Sequence, residues 1–142
     1  MINKDNEITT FTILRHGQTS YNAEGRIQGW LDIPLSETGE EQARRLANEL
    51  QEMQFDIAYS SDLQHAWRTV AIVIAQRQIA HLTDTLLGER NFGSLEGKPS
   101  SLLQSDFLIL KICPITTIVP TDLAEYLKTM RNLYTGFSHS SP

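Results

Sequence analysis

The feature that most constrains this sequence is a short apolar stretch near its start that ends abruptly in an arginine, a histidine and a glycine. Residues 9–14 mix β-branched and apolar side chains, a composition that favours a buried β-strand. Arg15, His16 and Gly17 follow directly. In open α/β sheets, ligands bind beyond the carboxyl ends of the strands. The sequence therefore predicts that Arg15 and His16 lie at a binding site, where Gly17 lets the backbone run close to the bound group.

The chemistry of this pair suits a phosphoryl group. An arginine presents a planar fork of donors that matches phosphate oxygens, and a neutral imidazole can attack phosphorus and form a phosphohistidine. The alternative is a histidine that happens to follow a strand, beside a solvated arginine. The tripeptide by itself leaves these two interpretations about evenly balanced, because short motifs match by accident.

Alternating strand and helix patterns follow this motif. Thr38 with Glu41 predicts a capping box, and Ser61 or Asp62 is predicted to cap a second helix after a strand at residues 55–59. A third strand is predicted at residues 79–82. The predicted apolar helix faces are Ala43, Leu46, Ala47, Leu50 and Met53 in the first helix, and Leu63, Ala66, Trp67, Val70, Ala71 and Ile74 in the second.

Two further segments carry candidate site residues. Residues 24–35 are predicted to form an ordered loop over the strand end, where Arg26, Gln28 and the backbone at Gly29 offer donors to an anion. Taken alone, this segment would be interpreted as a solvated loop. His65 falls in the first turn of the second helix, with Arg68 one turn later. The alternative for His65 is a partly exposed helix histidine without a role.

A glycine-punctuated loop at residues 86–97 carries Glu89 and Glu96. A carboxyl group that is shielded from water can have its pKa raised enough to donate a proton to a leaving alkoxide. Glu89 is therefore a candidate general acid. The alternative is a simple ion pair between Glu89 and Arg90.

Composition excludes several other functions. The 142 residues fit one domain, and a net charge of −5 without a basic run argues against a nucleic-acid surface. No apolar run is long enough to span a membrane. The polar N-terminus and the single Cys113 lead us to expect a cytoplasmic protein. Oligomeric state is left open.

Several blocks, in order, resemble the histidine phosphatase superfamily, which includes phosphoglycerate mutases and fructose-2,6-bisphosphatase-like enzymes. The similarity covers roughly residues 8–98, and so many blocks in the right order make coincidence very unlikely. The matching blocks are Leu14 to Gly17 with Asn22, Arg26 and Gly29; Asp32 to Ser36 with Gly39, Gln42 and Ala43; Tyr59 to Leu63 with Ala66 and Thr69; and Glu89 with Phe92, Gly93, Glu96 and Gly97.

The resemblance implies an α/β fold, a three-layer sandwich with a mostly parallel sheet flanked by helices. It implies that His16 is the phosphate-accepting nucleophile, that Arg15 clamps the phosphoryl oxygens and that Glu89 is the proton donor. The remaining candidate substrate-binding residues are Gly17, Asn22, Arg26, Gln28, Gly29 and His65. The family uses no metal, and no cofactor is expected.

The function expected from this resemblance is phosphatase activity on a small phosphorylated metabolite. Mutase-type phosphotransfer is one alternative, and an impaired remnant that only binds phosphate is another. Nucleic acid and membrane are not expected partners.

Two departures from the family pattern bear on this expectation. The family usually has an arginine where this chain has His65, so a fixed positive charge is missing. It also carries a second histidine, in a His-Gly near its C-terminus; here His81 comes too early and His139 is followed by Ser140. We therefore expect a C-terminally truncated or frame-shifted member. Its single domain would be family-like over residues 1–98 and divergent, poorly ordered and lacking part of the sheet over residues 99–142. In that region, residues 107–112 fit a strand or a buried helix, and Asp122 starts an amphipathic helix pattern.

Overall fold

The computed structural model describes residues 10–103 and 116–118. Single 3-10 turns occupy Thr85–Leu87, Gly93–Leu95 and Ser100–Leu102. None of the helices within these described ranges is long and apolar enough to cross a membrane. The strands and helices, in chain order, are β1 (Thr12–Leu14), α1 (Ser20–Ala23), α2 (Glu37–Glu49), β2 (Ile57–Ser60), α3 (Gln64–Val73), β3 (Ala80–Thr83) and β4 (Thr116–Ile118).

The described strands form one parallel and one antiparallel pair. β2 pairs in parallel with β3, with Ile57 opposite Ala80. Helix α3 makes the crossover that a parallel pair requires, so the predicted strand–helix–strand unit is confirmed. β1 pairs antiparallel with β4, with Thr12 opposite Ile118. The sequence predicted no strand at residues 116–118.

A small aliphatic cluster holds the ends of β1 and β2 in place. Leu14 at the end of β1 and Ala58 in β2 pack with Val70, Val73 and Ile74 from α3 and its C-terminal end. Burial of an aliphatic side chain contributes about 1.5–3 kcal/mol. Because both strands are anchored in this cluster, the polar residues that follow each strand emerge close to α3.

Helix α2 begins two residues earlier than the sequence predicted. Its N-cap is Ser36, whose Oγ accepts a hydrogen bond from the Gly39 amide at 3.1 Å, so the predicted capping box of Thr38 with Glu41 is wrong. The Ser36 amide donates to the Gln18 carbonyl at 2.9 Å. This tertiary bond fixes Ser36 at the helix start and ties α2 to the loop that follows His16.

Helix α3 also starts differently from the prediction. Its N-cap is Leu63, which makes no side-chain cap hydrogen bond. Ser61 Oγ accepts from the Leu63 amide at 3.2 Å, one residue before the helix begins, so neither Ser61 nor Asp62 is the cap. The predicted apolar faces are wrong at two positions, because Met53 and Trp67 are exposed. Trp67 stacks on His81 at the surface.

Gly17 and Gly39 meet where the loop after β1 crosses the start of α2. A Cβ on Gly17 would overlap the Gly39 carbonyl, and a Cβ on Gly39 would overlap the Gln18 backbone. The sequence attributed the glycine at position 17 to a close approach of a ligand. The structure gives it a packing role, which brings α2 against the segment that carries His16.

The sequence interpretations of residues 107–112 and of the helix from Asp122 lie outside the described residues. The same holds for His139 and for most of the predicted divergent segment 99–142.

Candidate active site

Three predicted site residues from three separate segments meet at one point. His16 follows β1, His65 lies in the first turn of α3, and Glu89 lies in the loop after β3. Glu89 Oε1 is 3.2 Å from Nε2 of His16 and 3.5 Å from Nε2 of His65. The two imidazole side chains are 2% and 1% exposed, and Glu89 is 16% exposed. We call these three residues the His–His–Glu cluster. His65 is therefore buried beside His16, with ring centroids 4.5 Å apart, and is not a surface histidine.

Thr69 holds the two histidine-bearing segments together. Its Oγ1 accepts a hydrogen bond from the Gly17 amide at 3.1 Å and donates to the His65 carbonyl at 2.7 Å. The hydroxyl therefore satisfies a backbone donor from the loop after β1 and an acceptor on α3. Because Thr69 is 1% exposed, water does not compete with these bonds.

The backbone of Glu89 is fixed by Trp30 and Glu96. Trp30 Nε1 donates to the Glu89 carbonyl at 2.6 Å. The Glu96 carboxylate accepts from the amides of Trp30 and Phe92, at 2.9 and 3.0 Å. Gly29 has φ +59°, and a Cβ there would overlap the Glu96 carboxylate. Glu96 thus joins the loop that carries Gln28 to the loop that carries Glu89.

The proton on His16 can be assigned from its hydrogen bond. Nδ1 lies 2.6 Å from the Gly17 carbonyl oxygen, which can only accept, so Nδ1 carries a proton. The second ring nitrogen, Nε2, faces Glu89: it donates to the carboxylate when it carries a proton and presents a lone pair when the ring is neutral.

His65 is held by Gln28 and by the backbone. Nδ1 lies 3.2 Å from the Ile33 carbonyl, which fits a proton on Nδ1. Thr19 Oγ1 donates to Gln28 Oε1 at 2.5 Å, so Gln28 turns its NH2 group towards His65, 3.0 Å from Nδ1 and 3.2 Å from Nε2. With the proton on Nδ1, the amide donates to Nε2. Gln28 therefore contacts His65 and lies beside the His–His–Glu cluster.

Glu89 is ionised in this arrangement. Burial by itself raises the pKa of its carboxyl group, but hydrogen bonds from His16 and His65, together with their charges, outweigh burial and lower the pKa to about 2. The expectation that shielding raises this pKa is therefore wrong for the protein as described. The partners of the carboxylate in the cluster are the two histidines.

The other predicted site residues are not hydrogen-bonded to the cluster among the described residues, and several of them bind backbone groups instead. Arg15 is exposed and, within the described ranges, makes no hydrogen bond or ion pair. Asn22 Oδ1 accepts from the Thr19 amide as part of a capping box at α1. Arg26 donates to the Gly97 carbonyl at 2.9 Å and stacks over Tyr21. Arg68, considered as a substitute cation, pairs with Glu40 at 2.9 Å.

The sequence interpretation missed two residues that organise the site. Thr19 orients Gln28 and Trp30 holds Glu89, yet neither belongs to a catalytic motif. Thr19 was detectable as a helix cap, because a threonine followed three residues later by Asn22 is a capping signal. No sequence signal marks Trp30, which is 59% exposed and contacts a residue far along the chain.

Comparison with known proteins identifies the family of the chain. Residues 11–108 match the model of the histidine phosphatase superfamily (branch 1). The chain is 41% identical over 96 residues to phosphoglycerate mutase-like protein 4 of Arabidopsis thaliana, covering 66% of this chain and 42% of that protein. It is 38% identical over 99 residues to fructose-2,6-bisphosphatase TIGAR B of Danio rerio, covering 66% of this chain and 38% of that protein. It therefore spans less than half the length of these curated relatives.

A solved structure gives the same result for the fold. Mycobacterial glucosyl-3-phosphoglycerate phosphatase, solved with VO3, superposes with a TM-score of 0.63 at 33% identity, over 72% of this chain and 50% of that one. The expected α/β fold, resembling phosphoglycerate mutase, is confirmed by this similarity.

Proposed function

The chain belongs to the histidine phosphatase superfamily, and we propose that it is a phosphatase that transfers the phosphoryl group of a small phosphorylated metabolite to His16 and then to water. One observation carries this proposal. The hydrogen bond from Nδ1 of His16 to the Gly17 carbonyl keeps Nδ1 protonated, so Nε2 is the nitrogen that presents a lone pair in the neutral ring, and the ring is almost completely buried. A fixed tautomer with a bare nitrogen is what nucleophilic attack on phosphorus requires.

In the first step, Nε2 of His16 forms a bond to phosphorus while the bond to the leaving oxygen breaks. The leaving alkoxide takes a proton from Glu89, the proposed general acid. Glu89 is ionised without substrate because the two histidines lower its pKa to about 2. An anionic phosphoryl group at His16 separates Glu89 from that ring and adds negative charge, and both effects raise the pKa of the carboxyl. As the phosphoryl group enters, the proton that Nε2 of His16 shares with Glu89 passes to the carboxyl, which leaves Nε2 with its lone pair and Glu89 as the acid.

In the second step, water attacks the phosphohistidine. Glu89 is now a carboxylate and accepts the proton of that water, so the acid of the first step is the base of the second. The phosphorus–nitrogen bond breaks, inorganic phosphate leaves, and His16 recovers its lone pair. When phosphate has left, the proton passes from Glu89 back to Nε2 of His16 across their 3.2 Å contact, which restores the starting ionisation of the cluster.

Donors for the phosphoryl oxygens are proposed from the residues around the cluster. The Gln28 NH2 group already faces the pocket through its contact with His65. Arg15 follows β1 next to His16 and has no partner among the described residues, which leaves its guanidinium available for an anion. We retain Gly17, Asn22, Arg26 and Gly29 as candidate binding residues only as implied by the family resemblance.

The substrate class follows from the relatives. Their names refer to a phosphorylated sugar acid ester, a sugar bisphosphate and a phosphoglycerate mutase-like protein. The compounds in these names are small phosphorylated metabolites. We propose a substrate of that size for this chain. Mutase-type transfer to a second hydroxyl would use the same phosphohistidine.

A second candidate function is phosphate binding without efficient turnover. It is favoured by a specific observation: Glu89 pairs with His16 and with His65, and a histidine provides no fixed positive charge. The family arginine is replaced by His65, so the pocket holds fewer fixed positive charges.

Hydrolysis of a generic aryl phosphate separates the two candidates. We expect wild-type protein to hydrolyse it and His16→Ala to fall to the background rate. His81→Ala is the matched control, because His81 bonds to Ser60 Oγ outside the cluster and should leave hydrolysis unchanged. Equal rates for wild type and His16→Ala would exclude the phosphatase and leave phosphate binding.

A further inference from the structure

We propose that His16, His65 and Glu89 also form a binding site for a divalent transition-metal ion, with Zn²⁺ the best fit, in the space that a phosphoryl group would otherwise occupy. This differs from the family resemblance, which implies no metal. It depends on the histidine that stands where the family usually has an arginine, because an arginine cannot serve as a ligand.

The spacing of the three ligand atoms fits a tetrahedral ion. Glu89 Oε1 is 3.2 and 3.5 Å from the two Nε2 atoms, and ligand atoms of all three residues lie within 4.8 Å of one another. Zinc bonds of about 2.0–2.1 Å place neighbouring ligands of a tetrahedron roughly 3.3 Å apart.

The groups behind the ligands are also those of a metal site. Metal-binding histidines usually donate their second ring N–H to a carbonyl or carboxylate, which fixes the tautomer. Nδ1 of His16 lies 2.6 Å from the Gly17 carbonyl, and Nδ1 of His65 lies 3.2 Å from the Ile33 carbonyl. In both rings Nε2 is then the nitrogen that can bind a metal, and both Nε2 atoms lie near the same carboxylate oxygen.

Electrostatics favours a cation at this point. Two nitrogen lone pairs and a carboxylate oxygen repel one another unless a proton or a cation lies between them. The Gln28 amide, 3.2 Å from Nε2 of His65, partly fills the need and is the competitor that a metal must displace. Two imidazoles and one carboxylate select zinc and similar transition metals over Mg²⁺ or Ca²⁺.

Metal binding has a consequence that rests on the proposed function. An ion on Nε2 of His16 occupies the attacking lone pair, so metal and phosphoryl group exclude each other. We therefore expect Zn²⁺ to inhibit hydrolysis, and a chelator to restore it.

Binding can be measured without reference to catalysis. Full-length protein treated with a chelator is titrated with Zn²⁺ by calorimetry, and with Co²⁺ by visible absorption, which is intense for tetrahedral coordination. We expect one ion per chain at this site, with affinity reduced about tenfold or more by His65→Arg. His81→Ala, the matched histidine control, should bind like wild type.

Two results would overturn the proposal: no Zn²⁺ binding by the wild-type chain, or equal affinity in wild type and His65→Arg. Should circular dichroism show that His65→Arg does not fold, Glu89→Gln, which keeps the shape of the side chain, is titrated in its place and must show the same loss. Inorganic phosphate should weaken Zn²⁺ binding by competition, and independent binding would contradict a shared site. Because these readouts need no turnover, a failure of the phosphatase proposal leaves them interpretable.

Discussion

Glu89 Oε1 lies 3.2 Å from Nε2 of His16, so the candidate acid and the candidate nucleophile are in direct contact before any substrate arrives. The contact couples their chemistry. While it exists, it lowers the pKa of Glu89, together with the contact to His65. When a phosphoryl group separates the two side chains, the same carboxyl becomes a better proton donor. The proposed function depends on this coupling between the acid and the nucleophile.

Removal of the acid should be most visible with poor leaving groups. Glu89→Gln cannot donate the proton that an alkoxide needs, and we expect kcat for an alkyl phosphate to fall by about 10²–10⁴. A nitrophenyl phosphate needs little protonation of its leaving group, so the loss in its rate of phosphoenzyme formation should be much smaller. Steady-state and burst kinetics on the two substrates measure this difference. An equal loss on both would show that Glu89 is not the acid.

Lowering the pH should reduce the stability of the wild-type protein more steeply than that of the Glu89→Gln variant. The pKa of Glu89 is lowered from 4.5 to about 2 in the folded chain. A carboxyl with a lowered folded-state pKa contributes stability that is fully present above the unfolded pKa and is lost as the pH falls through the folded one. The window is therefore from about pH 4.5 down to about pH 2. Thermal unfolding midpoints of both proteins across that window measure the effect, and parallel curves would contradict it.

Restoring the arginine of the family should strengthen phosphate binding. A hydrogen bond to a charged group contributes roughly 1.5–3 kcal/mol, so we expect His65→Arg to bind inorganic phosphate about tenfold more tightly or to raise kcat/KM by a similar factor. Since His65 is fully buried, the folded state of the variant is checked first by circular dichroism. Unchanged kinetics and phosphate affinity in a folded variant would show that position 65 does not act on the bound phosphoryl group.

Trp30 should affect catalysis by positioning Glu89 through its indole N–H. Trp30→Phe removes the donor to the Glu89 carbonyl and keeps an aromatic ring in place. A hydrogen bond of this kind contributes about 0.5–1.5 kcal/mol, so kcat on an alkyl phosphate should fall roughly two- to tenfold, with the alkaline limb of the pH–rate profile displaced. Trp67→Phe is the matched control, because Trp67 is a similarly exposed indole that stacks on His81. Equal effects of the two substitutions would remove Trp30 as a positioning residue.

Much of the site could be predicted from the sequence because its members end recognisable elements. His16 follows an apolar strand, His65 starts an apolar helix, and Glu89 sits in a glycine-punctuated loop. The family resemblance, which rests on the order of these motifs, implied that the three residues share one site. What the motifs do not carry is the identity of each side chain's neighbours, and the pKa of Glu89 depends on those neighbours. Burial raises the pKa of Glu89 and the two imidazoles lower it, so the direction of the net shift could be found only from the distances between the three side chains.

The helix starts show a similar limit. Ser36 and Thr38 both carry hydroxyl groups that suit an N-cap, and local pattern favours Thr38 because Glu41 completes a box. The choice of Ser36 depends on its amide bond to Gln18, which lies eighteen residues earlier. The packing of Gly17 on Gly39 is likewise a contact between distant segments. Such contacts override local preference, and a single sequence does not display them.

The most direct test of the account is the site at which the protein is phosphorylated. The chain is mixed with an aryl phosphate, quenched in alkali, where phosphohistidine survives, and digested for mass spectrometry, with His16→Ala as the control. The account predicts one phosphoryl group on the peptide that contains His16, lost when the sample is acidified and absent from the variant. Hydrolysis that proceeds with His16 unmodified, or a phosphoryl group on another residue, would contradict it.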